Sequence, residues 1–290
     1  MTLEQLRIFV AVAERLNMTA AARALNLTQS AASGAVAALE ARHGVKLFDR
    51  VGRGLQLSAA GRAFLPEAQG VLARADGAQR ALDDLAGLKR GEVRLAASQT
   101  VASYWVPGRA AAFARVYPTI ALTLRVGNSQ QVADQVLSGA VDLGLVEGEV
   151  AEADLVRKVV GEDRISLYVA PGHPLARGGV VTLADLDRAQ WVLREKGSGT
   201  RAAFEAAYRA KGGDPERLKV LLEFPSNESA LAAAAGGGLV TPVSDLAAAP
   251  RLASGSVARA PFDLGKRRFT AIRHRDRPPS RALAAFLEMV

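Results

Sequence analysis

The segment Thr19-Ala-Ala-Ala-Arg-Ala-Leu-Asn-Leu-Thr-Gln-Ser-Ala-Ala-Ser-Gly-Ala-Val-Ala-Ala-Leu-Glu40 leaves this chain few ways to fold. Its apolar residues fall into two short runs at helical spacing, Ala21, Ala22 and Leu25, then Ala32, Val36 and Leu39. Thr19 and Thr28 precede these runs, and a hydroxyl there can accept a bond from an unpaired backbone N–H and cap a helix. The inward residues are small, so two helices can cross closely, as a helix-turn-helix requires. Gln29, Ser30 and Ser33 remain outward at the start of the second helix, with no acid before Glu40. In a helix-turn-helix those positions reach base edges in the major groove, and Thr28 at the same turn is a further DNA-binding candidate. Taken alone, the segment also suits a helical hairpin in an ordinary core, so its flanks decide.

Residues 3–15 read as an amphipathic helix with Leu3, Leu6, Phe9, Val10, Val12 and Ala13 inward. After Leu39, His43-Gly44 reads as a helix stop with glycine in the left-handed conformation. Val45–Phe48 and Leu55–Leu57 then read as short strands around Asp49-Arg50-Val51-Gly52-Arg53-Gly54, a wing with Arg50 and Arg53 placed to lie along a phosphate backbone. Ser58 caps a helix expected to run to about Gly87. Along it Phe64, Ala68, Val71, Ala75, Ala78, Leu82 and Leu85 form a narrow heptad seam, the pattern of a dimer contact with close helix approach.

Charge distribution agrees with nucleic acid at this end. Residues 1–65 carry eight Lys/Arg (Arg7, Arg15, Arg23, Arg42, Lys46, Arg50, Arg53, Arg62) against four acids (Glu4, Glu14, Glu40, Asp49), half of the chain's formal +8. A merely solvated basic face is the alternative reading of the charge by itself. No run approaches the roughly 20 apolar residues of a membrane span. The first residues lack the basic-then-apolar layout of a secretory signal, and there is no cysteine, so a cytoplasmic location is expected.

From Gly91 strands and helices alternate. Glu92–Ala97, Ile120–Val126, Val141–Val146, Ile165–Val169, Trp191–Arg194, Leu218–Glu223, Leu239–Pro242 and Arg268–His274 read as strands. Helices are expected around Val106–Val116, Gln130–Leu137, Arg201–Lys211, Glu228–Ala235 and Pro279–Met289. That order implies α/β lobes with mainly parallel sheets and ligand sites beyond the strands' carboxyl ends, and the stretch falls naturally into two lobes.

Ala21-Ala22…Leu25…Leu27-Thr28-Gln29-Ser30…Ser33…Leu39-Glu40, then Leu47-Phe48-Asp49-Arg50 and Leu57-Ser58…Ala60-Gly61, resemble a LysR-type transcriptional regulator. Tyr117-Pro118, Gly127-Asn128-Ser129 and Leu137…Gly139…Val141-Asp142-Leu143 extend the resemblance over essentially the whole chain. It implies an α/β protein with an N-terminal winged helix-turn-helix (residues 1–58), a long linker helix and hinge (59–90) and a two-lobed effector domain shaped like a periplasmic binding protein (91–290). Lobe I would take about 91–163 and 266–290, and lobe II about 164–265. It further implies homodimers and homotetramers on imperfect palindromes near promoters, promoter duplex and a small-molecule effector as partners, and RNA polymerase as a further one. Gly34 departs from the long or basic side chain usual in such regulators, and Ala35 and Ala37 are short as well. Base reading is then left mostly to Gln29, Ser30 and Ser33.

Ala97-Ser98-Gln99-Thr100 and Lys196-Gly197-Ser198-Gly199-Thr200-Arg201 each end a strand and open a helix, so N–H groups and a positive dipole end point at one crevice. Hydroxyls of Ser98, Thr100, Ser198 and Thr200 would complete an anion cage without a formal charge. Asn128 and Ser129 would border it, and Glu147 would either bar a bulky anion or face solvent. Each turn alone could be no more than an N-cap. Both phrases are similar to those of a LysR branch sensing small anions such as sulfite, sulfate or small carboxylates, although Lys196 stands where a proline is usual. No cofactor or metal is expected.

An enzyme is the first rival reading. His43, His173 and His274 lie apart, no HExxH or GK[ST] motif exists, and no nucleophile–base pair emerges. A solute-binding protein is the second, permitted by residues 91–290 and opposed by the head; a gel shift separates them. A regulator sensing an aromatic or neutral metabolite is the third.

Overall fold

The computed structural model describes residues 1–52, 54–85, 91–148 and 150–290. The chain divides into two compact units, one of residues 1–88 with 137–140, the other of residues 89–136 and 141–290.

In the first unit, α1 (Leu3–Arg15) starts with a reciprocal cap: Thr2 Oγ1 accepts from Gln5 N at 3.2 Å, and Gln5 Oε1 accepts from Thr2 N at 3.0 Å. Leu6, Phe9, Val12 and Ala13 are buried, whereas Leu3, in the free first turn, is exposed. The next helix, α2 (Met18–Ala24), is capped by Asn17 and not by Thr19. Leu16 closes α1 in the left-handed region (φ 47°), which makes Asn17 the first extended residue, and its amide oxygen accepts from Ala20 N at 2.9 Å. Thr28 caps α3 (Gln29–His43) by accepting from Ala31 N at 3.2 Å, and Gly44 ends it at φ 65°. Ala21, Ala22, Ala32, Val36 and Leu39 join α1 in one core.

The wing strands are β1 (Phe48–Val51) and β2 (Gly54–Leu57), paired antiparallel. The first begins later than the apolar run Val45–Phe48 suggests. The buried carboxylate of Glu40 accepts from Leu47 N at 2.8 Å and Phe48 N at 3.3 Å, tying that approach to α3. Ser58 starts α4 (Ala59–Leu85), accepting from Gly61 N at 2.9 Å and donating to Lys46 O at 2.7 Å. A Cβ on Gly61 would lie 2.0 Å from Leu47 O, so only glycine lets α4 start this close to the wing.

The second unit runs β3 (Gly91–Ser98), a π-turn at Val101–Trp105, α5 (Val106–Val116), β4 (Ile120–Gly127), α6 (Ser129–Ser138), β5 (Leu143–Glu147) and β6 (Leu155–Val169). It continues with α7 (Leu183–Arg188), β7 (Gln190–Arg194), α8 (Gly199–Ala210), β8 (Lys219–Phe224), α9 (Asn227–Ala235) and β9 (Leu239–Ser244). The last elements are α10 (Asp245–Ala253), β10 (Ala258–Ala260), β11 (Lys266–His274) and α11 (Arg281–Glu288). Strand order is β4-β3-β5-β11-β6-β9-β7-β8, with β10 on β6. Within the triplets β4-β3-β5 and β9-β7-β8 pairing is parallel, but β11 and β6 pair antiparallel with their neighbours, which corrects the expectation of mainly parallel sheets. The reason lies in β6, whose residues 155–164 pair with β11 and 165–168 with β9, so one strand enters both lobes. Lobe I packs around Leu95, Trp105, Phe113, Leu145, Phe269 and Phe286; lobe II packs around Leu167, Trp191, Phe204 and Tyr208.

Among the described residues, no helix is long and apolar enough to cross a membrane. No group of three His, Asp or Glu side chains there is placed to hold a metal ion.

Candidate nucleic-acid interface and interlobe cleft

At the head, Gln29 and Ser30 are exposed on the first turn of α3 and Ser33 is half-buried behind them. Thr28 is already engaged as the cap, and its hydroxyl also bonds Ser30 Oγ at 3.0 Å. Gly34, Ala37 and Ala38 continue the exposed face with short side chains, and longer exposed ones return only at Arg42 and His43 in the last turn. Arg50 stands exposed on β1; Arg53 lies outside the described residues. Glu40 holds the wing in register with α3. Burial works to raise its carboxyl, and bonds from Lys46 Nζ (2.8 Å), Leu47 N and Phe48 N outweigh that and leave it below the ordinary value.

The seam on α4 is not a single surface. Phe64 packs its ring 5.2 Å from that of Phe9, and Ala68 is buried in the same core, so both belong to the head of their own chain. Ala75 is half-buried, whereas Val71, Ala78 and Leu82 are exposed, and the side chain of Leu85 lies outside the described residues.

In the second unit, six of the sequence-derived residues meet where the lobes face each other. Ser98 ends β3, Thr100 opens the following helix, Glu147 ends β5, Ser129 starts α6, and Gly199 and Thr200 start α8. All six are buried. Ser98 Oγ donates to Glu147 Oε2, Thr200 Oγ1 lies 3.4 Å from Glu147 Oε1, and Ser129 Oγ donates to Glu147 O at 2.9 Å. A Cβ on Gly199 would lie 2.0 Å from Glu147 O, so that glycine permits the lobes to touch.

The cage is charged, which corrects the expectation of one built on neutral hydroxyls alone. Arg267 on β11 occupies its centre. Its Nη1 donates to Thr200 Oγ1 at 2.9 Å, and its Nη2 donates to Thr100 Oγ1 at 3.3 Å and to Asp163 Oδ2 at 2.8 Å. Glu147 Oε1 is 3.8 Å from Nη1, and the glutamate is 1% exposed, so it does not face solvent. Asn227 extends the network, donating from Nδ2 to Thr100 Oγ1 at 3.0 Å and accepting from Arg194 Nη1 at 2.8 Å. Arg194 is paired with Glu195 at 2.8 and 3.0 Å.

Three other sequence-derived residues do different work. Gln99 bridges the lobes, accepting from Asn227 N at 3.1 Å and donating to Pro225 O at 2.8 Å. Asn128 caps α6, its Oδ1 accepting from Gln131 N at 2.9 Å, and Ser198 caps α8. Arg267, Asp163, Asn227 and Arg194 were missed. Arg267 sits in the basic run Lys266-Arg-Arg268, and only alternation along β11, which buries 267 and 269 and exposes 266 and 268, singles it out.

A winged helix-turn-helix joined to a two-lobed α/β unit with a polar interlobe centre defines a DNA-binding regulator that senses a small molecule. The chain belongs to the LysR family: residues 3–62 match the bacterial regulatory helix-turn-helix protein, lysR family, and residues 86–290 match the LysR substrate binding domain. It is a transcriptional regulator with an effector domain, and not an enzyme. It is 34% identical over 289 residues to the uncharacterised HTH-type transcriptional regulator YeiE of Escherichia coli K12, covering 99% of this chain and 96% of that one. The full-length regulator CbnR, solved with its target DNA, is 26% identical with a TM-score of 0.69, covering 100% of this chain and 99% of that chain. The regulatory domain of Synechocystis PCC6803 CcmR, solved with 2-PG, is 26% identical with a TM-score of 0.62, covering 69% of this chain and 95% of that chain.

Proposed function

We propose that this regulator reads promoter DNA with Gln29, Ser30 and Ser33, holds phosphates with Arg50 and Arg53, and changes that binding when a small anion enters the interlobe cleft. The observation that carries the effector reading is the buried Arg267 centre, reached by hydroxyls from both lobes. Three helices, α6, α8 and the one opening at Gln99, start at this cleft, and their N-terminal dipoles favour negative charge. The relative CcmR with its bound 2-PG supports an anionic class of ligand. A head at 1–58, a linker at 59–90 and an effector domain at 91–290, with lobe II at about 164–265, follow as the working division. The exposed part of the α4 seam couples two heads, and dimers of dimers and RNA polymerase at the promoter complete the proposal.

The test is calorimetric titration of the full chain with sulfite, sulfate, phosphate and small carboxylates, alongside neutral and aromatic metabolites. Saturable binding of at least one anion, with a matching change in promoter affinity, is the expected result. Binding confined to a neutral or aromatic compound would replace the anion reading.

A further inference from the structure

The interlobe site that the sequence reads as an anion cage of neutral hydroxyls already contains an anion belonging to the chain. Glu147 places its carboxylate among Ser98, Thr200 and Arg267, and the buried centre then holds two carboxylates, Glu147 and Asp163, against one guanidinium, Arg267. Arg194 does not redress the balance, because it is paired with Glu195. Any oxyanion, hydrogen phosphate and sulfate alike, would therefore enter a site already one charge negative, so charge alone does not separate those two dianions. A fully ionised ligand would also meet a carboxylate that can only accept hydrogen bonds, and two acceptors side by side share none.

Resting on the anion reading above, we propose that Glu147 makes the cleft select oxyanions that retain a proton at neutral pH, hydrogen phosphate being the simplest, and reject fully ionised ones such as sulfate. The two oxygens of Glu147 differ in commitment. Oε2 receives the Ser98 hydroxyl, whereas the contacts of Oε1 are long, 3.4 Å to Thr200 Oγ1 and 3.8 Å to Arg267 Nη1. An O–H on the ligand donates to Oε1 and turns the clash of two acceptors into a hydrogen bond. Thr100 helps from the other side. Its oxygen accepts from Asn227 and Arg267, so its own proton is available to an unprotonated oxygen of the ligand.

Phosphate and sulfate test this directly, because they share tetrahedral shape and differ in the proton. Calorimetry on the full chain at neutral pH and fixed ionic strength compares phosphate with sulfate, and arsenate with selenate as a second isosteric pair. Phosphate and arsenate are expected to bind at least about tenfold more tightly than their partners, the scale of one buried charge-assisted bond. Glu147→Gln keeps the shape but adds a donor, so the ratio should fall toward one or invert. Sulfate binding as tightly as phosphate to wild type, or an unchanged ratio in Glu147→Gln, overturns the proposal and leaves the anion reading standing. Binding of no anion beside a neutral or aromatic ligand removes both. If Glu147→Gln does not fold, arsenate against selenate on wild type decides alone.

Discussion

At the scale of single residues, base reading and phosphate holding are proposed for different side chains of the head. Gln29 has an exposed amide able to pair with a base edge, so Gln29→Ala should weaken the cognate site by about 1–3 kcal/mol and flatten sequence preference. Arg50→Ala and Arg53→Ala should weaken all duplexes alike, each lowering the salt slope by about one. Fluorescence anisotropy on operator and random duplexes reads both, and an unchanged operator-to-random ratio in Gln29→Ala would remove its assignment. Glu40 is a residue whose importance the sequence hid. Its carboxyl sits below the ordinary value of 4.5 in the folded head, so the anchor is fully present above that value and is lost as pH falls through the lower, folded value. Hydrogen exchange in residues 46–58, corrected for intrinsic rates, should rise on acidification below about pH 4.5 in wild type. In Glu40→Gln it should already be raised at neutral pH and respond little to acid.

At the scale of elements, the helices of the head were legible from their own apolar period, although of their N-caps only Thr28 was read correctly and α2 is capped by Asn17 instead of Thr19. The seam on α4 was legible only as a pattern. Periodicity shows that Phe64, Ala68, Val71, Ala75, Ala78 and Leu82 share a stripe, but it cannot say which partner each stretch meets. The structure assigns the first turns to the chain's own Phe9 and leaves Val71 and Leu82 uncovered. A glutamate at 82 would place a charge without a partner in the proposed dimer contact, at a cost of about 2–3 kcal/mol or more, which weakens dimers at least tenfold. Analytical ultracentrifugation of Leu82→Glu reads this, and an unaltered oligomer would rule the contact out. Strand β6 shows the opposite limit. Its first half, Arg157-Lys-Val-Val-Gly-Glu-Asp-Arg164, is too polar to signal a strand, and pairing with β11 makes it one.

At the scale of the molecule, the effector can act only through a difference in how it contacts alternative lobe arrangements. Thr100 is a sensitive point, because its oxygen accepts from Asn227 of lobe II and Arg267 of lobe I. Thr100→Val keeps the volume and leaves two buried donors unsatisfied, at about 1–3 kcal/mol. Since the head is a separate compact unit, the variant should still bind promoter DNA while losing the effector's influence on it. Retention of full effector response, measured as promoter affinity with and without the saturating anion, would show that Thr100 is no part of the coupling.

What the sequence determined by itself is whatever rests on neighbours a few residues apart. That covers the helix-turn-helix with its Thr28 cap, the wing, the α/β alternation, and the two polar turns at helix starts. Hydrophobic period and capping chemistry are local, so one chain suffices to read them. The tertiary structure alone decided the electrostatics of the cleft. Ser98 and Glu147 are 49 residues apart, and Thr100 and Arg267 are 167 apart. No local pattern encodes the sign of a charge that arrives from the far end of the chain, and long-range pairing of β11 with β5 and β6 brought it there.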